Sequence, residues 1–165
     1  MTSTPRLALP FLVPGQAQKE FFHNEALQRL DLAVQPIVEV AASNAPPSSP
    51  TLGQCFLVGS VPTGAWAGQS QALAGWTEGG WRFVLPFEGM RVGDRSSGQV
   101  ATFATGTWVM GVLDVASVRI GGVAVLGARR PAIAGPTAGG VQDIEARAAL
   151  NSVLSTLRGH GLITT

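Results

Sequence analysis

The side chains able to act as bases or nucleophiles are few and scattered. Of the two histidines, His23 falls on the polar side of a predicted helix and His160 lies between two glycines near the end. The one cysteine, Cys55, sits in the strand-like run Gly53-Gln-Cys-Phe-Leu-Val58 with no cationic neighbour in sequence to lower its pKa. A buried, inert thiol is expected there, and a single cysteine excludes an internal disulfide. Gly68-Gln-Ser70-Gln-Ala72 has part of the spacing of a nucleophile elbow, which holds a serine on a sharp strand-to-helix turn. It ends in Ala and lacks a convincing strand before it. Glu78, Glu88, Asp94 and Asp114 fall in a β region, where two carboxylates about 5–9 Å apart would suffice for glycoside hydrolysis. Glu78 is in a predicted turn and Asp94 beside Arg95, so solvated loop charges are the simpler reading. Metal-ligand spacing is missing. Gly122-Val-Ala-Val-Leu-Gly127 has the glycine spacing of a phosphate loop, but Ala128-Arg129 stands where Lys-Ser/Thr is needed. The expectation is a protein that is not an enzyme and carries no cofactor and no metal.

The four tryptophans are more informative. Trp66, Trp76, Trp81 and Trp108 each follow a glycine within two positions, which places them at turn edges. Rings there can stack on the apolar C–H faces of sugars, or plug a core, as most Trp in small β-domains do. Core stapling is the favoured reading. Trp66 is the best glycan-stacking candidate, because it lies outside the two hairpins described next.

Those hairpins are read from a repeat. Leu73-Ala-Gly-Trp76, a four-residue loop, then Trp81-Arg-Phe-Val84 is echoed 27 residues later by Val100-Ala-Thr-Phe103, a four-residue loop, then Trp108-Val-Met-Gly111. An aromatic on each side of a Gly-bearing loop is the pattern of a hairpin with a cross-strand aromatic pair. Residues 53–58 and 89–92 are predicted as further strands. Val115–Ile120 and Val123–Leu126 around Gly121-Gly122 make a third hairpin. The fold class is mainly β with two flanking helices (α+β), a small antiparallel β-barrel or sandwich built from hairpins.

The first helix is predicted within 15–40 as an amphipathic one. Ala17, Phe21, Leu27, Leu30, Val34, Ile37 and Val38 recur at three- and four-residue steps, and Pro36 should kink or end it. The second is predicted over 142–158, with Asp143 as N-cap and Gly159 as stop. It carries a docking stripe of Ile144, Leu150, Val153, Leu154 and Leu157. Pro5, Pro10 and Pro14 keep the apolar strip Leu7-Ala-Leu-Pro-Phe-Leu-Val13 out of a helix, so it should lie extended on its own subunit or a neighbour. Leu7, Leu9, Phe11 and Leu12, with Phe21 and Phe22, are the expected oligomer or capsid contacts. Deleting residues 1–14 is expected to break assembly and leave the β-domain folded. Three segments follow: 1–45, an extended anchor plus helix; 46–128, a β-domain; 129–165, a linker plus helix.

Composition sets the class. In 165 residues, 11 Lys+Arg against 10 Asp+Glu leave a net charge of +1, too little basic surface for a nucleic-acid binder. Only 13% of residues are charged and 45% are hydrophobic, which argues against disorder and for a surface buried against other copies. No run is long and apolar enough for a membrane span, and the N-terminus does not read as a secretory signal, so synthesis in a bacterial cytoplasm is expected.

The opening Pro10-Phe-Leu-Val-Pro-Gly-Gln-Ala-Gln-Lys-Glu20 with His23-Asn-Glu-Ala-Leu27 resembles that of an alphaproteobacterial domain family of unknown function. So do Gly53-Gln-Cys55, Pro62-Thr-Gly-Ala-Trp-Ala-Gly68, Gly80-Trp-Arg-Phe83, Glu88-Gly-Met-Arg91, Gly127-Ala-Arg-Arg-Pro-Ala-Ile133 and His160-Gly-Leu-Ile163. Proteins like this occur in prophages and gene transfer agents. The resemblance implies a virion structural protein on the particle surface, most like a head spike base. It would join capsid protein at the vertex to a spike fibre protein and help the particle adhere to capsular polysaccharide. No catalytic residues come with it. Because the chain ends at Thr165 without a fibre-like extension, the base is implied and not the adhesive tip. A five-fold vertex favours a homopentamer, with a trimer matching a fibre instead. A sugar-binding module acting through exposed Trp is the alternative, with a tail fibre component or polysaccharide hydrolase behind it.

Overall fold

Alternating apolar residues and glycine-bearing turns decide most of the backbone. The structure, a computed structural model, describes residues 2–13, 15, 19–40, 42–137, 139–141 and 143–164. The chain forms two compact units, residues 1–112 and 113–165. The boundary falls inside the stretch read from sequence as one β-domain.

The first unit contains α1 (Lys19–Ala33), β1 (Ile37–Val38), β2 (Cys55–Leu57), β3 (Leu73–Thr77), β4 (Gly80–Val84), β5 (Arg91–Asp94), β6 (Val100–Ala104) and β7 (Thr107–Met110). One sheet has the order β2-β3-β4, the other β1-β5-β6-β7, and only the β1–β5 pair is parallel. The internal repeat is real in register. Trp76 pairs with Trp81 and Thr77 with Gly80; 27 residues on, Phe103 pairs with Trp108 and Ala104 with Thr107. The ladders run closer to the turns than predicted. The expected four-residue loops shrink to Glu78-Gly79 and Thr105-Gly106, because their outer residues pair.

The segment after α1 laces the two sheets along their edges. Gly93 and Arg95 donate backbone bonds of 2.9 Å to Pro36 and Val38, while Glu39 and Ser43 donate bonds of 3.0 Å to Cys55 and Leu57. Strand alternation then divides the core. Leu32, Val38, Cys55, Leu57, Leu73, Met90, Val92 and Ala101 form one buried cluster drawn from α1 and both sheets. Phe56, Val58, Trp66, Ala72 and Ala74 form a second one, with Trp81 and Phe83 against it. The fold is mainly β with two helices and fits a sandwich-like α+β arrangement. Its sheets stay open, so of the two closures the sequence left open the barrel is not formed.

Helix α1 ends at Ala33, three residues before Pro36, and Ile37 and Val38 belong to β1 and not to the helix. The predicted face is also not the buried one. Phe21 is 69% and Leu30 51% exposed, whereas Asp31 and Leu32 are buried; Ala17 lies outside the described residues. The reason is chemical. The buried face receives backbone and an arginine, so it carries hydrogen-bonding side chains that a hydrophobic count misses. Leu32 reaches the sheet only because position 75 is glycine, where a Cβ would overlap its Cδ2.

The second unit holds the hairpin β8 (Val118–Ile120) and β9 (Val123–Leu126) and the helix α2 (Ile144–Gly159). Gly121 and Gly122, at φ +56° and +84°, make the left-handed two-residue turn. Beyond β9, Arg130 donates to Leu162 O and accepts from Thr164 N, tying the chain's end to the linker. Asp143 caps α2 by accepting from Ala146 N at 2.8 Å.

Candidate functional site

The N-terminal arm is fastened to α1 of its own chain. Asp31 accepts from Thr4 Oγ1 at 2.7 Å and from the backbone amides of Arg6 and Leu7 at 3.1 and 2.6 Å. Asn24 imitates a strand, accepting from Leu12 N at 2.9 Å and donating to Leu12 O at 3.2 Å. Arg6 caps the helix C-terminus, its guanidinium donating to Asp31 O and, at 2.9 Å, to Gln35 O. Free carbonyls and the negative end of the helix dipole favour a cation there.

Leu9, Phe11 and Leu12 are half-buried in this arrangement and Leu7 is 41% exposed. The arm therefore lies on its own subunit. Removing 1–14 would strip the buried Asp31 carboxylate of three donors. Asn24, Asp31 and Arg6 were missed from sequence. The available signal was Asp31 itself, an acid set inside the apolar run Leu30-Asp-Leu-Ala33.

The tryptophans form staples. Trp66, in a 3-10 turn at Gly64–Trp66, is fully buried, with ring centroids 5.2 Å from Trp81 and 5.9 Å from Phe56. Its candidacy for glycan stacking is overturned, because the excursion 59–72 folds it under, against the sheet. Asn44 O holds that excursion by accepting from Thr63 N at 2.7 Å. Trp76 meets Trp81 edge-on at 5.0 Å. Trp108 meets Phe103 at 5.3 Å and donates Nε1–H to Gln71 O at 2.8 Å, joining the second hairpin to the end of that excursion. Trp76, Trp81 and Trp108 are half-buried.

Of the side chains weighed for chemistry, Ser70, His23, Glu88 and Asp94 are engaged in structure, while Asp114 and His160 are exposed. Ser70 donates to Ser60 O at 3.3 Å, His23 contacts Lys19 O within its own helix, and Glu88 accepts from Thr105 N at the β6–β7 turn. Asp94 accepts from Ser96 N, Ser96 Oγ and Ser97 Oγ. Desolvation works against its charge, but these bonds outweigh it and hold the carboxyl below its ordinary range. Burial pushes the Cys55 thiol up to about 11, against the weaker opposing pull of Arg6. Among the described residues no group of three His, Cys, Asp or Glu could hold a metal.

What remains is apolar surface. On the first unit, Phe21 and Phe22 pack edge-on at 5.6 Å and stand 69% and 72% exposed. A groove of about 580 Å³ between α1 and β4 is lined by Ala26, Leu30, Ala33, Phe83, Val84 and Leu85, with Arg29 at its side. The Glu25 carboxylate, shared by Arg29 at 3.2 Å and Arg82 at 2.9 Å, ties α1 to β4 beside it. On the second unit only part of the α2 stripe docks: Leu154 is buried and Leu157 half-buried, while Ile144, Leu150 and Val153 stay exposed. The linker explains this. Arg158 and Arg147 donate to Ile133 O and Pro136 O, which lays residues 133–136 along one side of the helix.

Residues 23–109 match the family described as Protein of unknown function (DUF2793). No curated protein matches the chain.

Proposed function

The chain belongs to the DUF2793 family, and from that premise we propose that it is a non-enzymatic structural protein of a phage-like particle. It acts there as an oligomeric head spike base, joining the capsid vertex to a spike fibre and aiding attachment to the recipient's capsule. The observation that carries the reading is the division of the apolar side chains. A stapled core coexists with large apolar residues left uncovered on both units, while Ser70, Glu88 and Asp94 are bonded to neighbouring structure. Such a surface belongs to a chain whose work is contact. The motif resemblance to gene transfer agent proteins supplies the particle. No helix among the described residues is long and apolar enough to cross a membrane.

Glycan binding by this chain itself is the weaker reading. It loses Trp66 and would have to use Trp76, Trp81 or Trp108, each half-buried and already packed.

The test is to purify phage-like particles from a producing strain, detect the chain in them, and image particles lacking its gene. The expected result is a chain that co-purifies with particles and a mutant whose vertices carry no spike. Normal spikes without it, or its absence from particles, would overturn the reading.

A further inference from the structure

Two segments singled out in the sequence, Gly127-Ala-Arg-Arg-Pro-Ala-Ile133 and His160-Gly-Leu-Ile163, meet in the second unit. Arg130 N donates to Leu162 O at 2.9 Å, and Thr164 N donates to Arg130 O at 2.8 Å. Between this junction and the end of β9 lies a cavity of about 580 Å³, lined among others by Val125, Leu126, Arg129, Arg130, Leu162 and Ile163. Its volume falls in the range of small-molecule pockets, about 300–1,000 Å³. We infer that this cavity is a binding site for an organic carboxylate, with the charge on the two arginines and the apolar body along the aliphatic side chains. The inference goes beyond the spike-base reading and does not depend on it.

The arginines name the head of the ligand. Arg129 is held in place by its Nε, which donates to Ile163 O at 3.1 Å. Its two terminal nitrogens have no acceptor among the described residues, and neither has any nitrogen of the Arg130 guanidinium. Arg147 and Arg158 of the same unit, by contrast, donate to Pro136 O and Ile133 O. No carboxylate lines the cavity. Asp143 caps the opposite end of α2, about 24 Å away along a 16-residue helix. The carbonyls at the near end are already satisfied, Leu157 O by Leu162 N and Arg158 O by Gly161 N. A guanidinium whose Nε edge is occupied still offers its two-nitrogen end, a fork that matches the two oxygens of a planar carboxylate.

The remaining lining names the body. Leu126 and Leu162 are 50% and 39% exposed, above a buried Ile163. A bare inorganic anion would leave them wet, whereas a ligand with a hydrocarbon portion covers them and gains by doing so.

Ligand-observed saturation-transfer NMR on the full chain tests this, with hexanoate as the probe. Hexanoate should bind saturably. Acetate, 1-hexanol and inorganic phosphate, which supply the head, the body and a bare oxoanion, should each bind at least about tenfold more weakly. Arg130→Ala should weaken hexanoate about tenfold with the far-UV helix signal unchanged, because that guanidinium holds nothing in the chain. Leu162→Ser should weaken hexanoate and leave acetate as it was. Arg119→Ala removes the same charge from a residue outside the cavity lining and should leave binding intact. Hexanoate that does not saturate, binding that survives Arg130→Ala, an equal loss in Arg119→Ala, or phosphate that binds as tightly as hexanoate would each overturn the inference.

Discussion

The hairpins β3–β4 and β8–β9 share two antiparallel strands and a two-residue turn with glycine, but β3–β4 keeps a regular register and β8–β9 shifts between Val118 and Arg119. They differ in cover. The first is flanked by β2, has α1 on one face and on the other carries Trp66 beside its Trp76–Trp81 pair. The second pairs Ile120 with Val123 in the open. The same local rules therefore make a covered element in one unit and an exposed one in the other. What separates them is whether the chain supplies a lid.

Removing the lid from the covered hairpin should have the largest effect. Trp66→Ala empties a fully buried site between Phe56 and Trp81 and should cost about 4 kcal/mol. Urea unfolding followed by the emission of the remaining tryptophans measures it. Asp31→Ala leaves Thr4 Oγ1 and two backbone amides without their acceptor and should cost about 3 kcal/mol. It should also free the arm to proteases, which limited proteolysis with N-terminal sequencing would show. An arm still protected in that variant would mean that Asn24 and Arg6 suffice to hold it.

Cys55 sharpens the comparison by pH. Its folded pKa, about 11, lies above the ordinary 9.0, so its contribution to stability is whole below pH 9 and is lost as pH rises toward 11, about 3 kcal/mol in all. Alkylation at pH 8 should accordingly proceed only at the rate of unfolding. Rapid labelling of the native protein would show that the lid opens locally. The smallest effect is expected for Trp108→Phe. It keeps the ring against Phe103 and loses the bond to Gln71 O, about 1 kcal/mol in the same urea titration.

Much of this was legible in the sequence, because it rests on local rules. The two aromatic hairpins, the Gly121-Gly122 turn, the Asp143 cap and the buried Cys55 all follow from residues within a few positions of one another. The failures share a cause. The buried face of α1 was misassigned because Asn24 and Asp31 are held by a segment more than ten residues away, which periodicity cannot sense. Trp66 looked free because it lies outside both hairpins; only the fold of 59–72 puts it under one. The α2 stripe read as a single docking face, yet the linker that covers part of it is fixed by Arg147 and Arg158, which a hydrophobic stripe ignores. The exposure of β8–β9 was missed altogether, since nothing in an alternating strand says whether a second layer exists.

Hydrogen exchange read by mass spectrometry tests the central contrast most directly. Amides of β3–β4 should be protected, while those of β8–β9 should exchange freely. Protection of β8–β9 equal to that of β3–β4 would contradict the account, because the hairpin would then be covered.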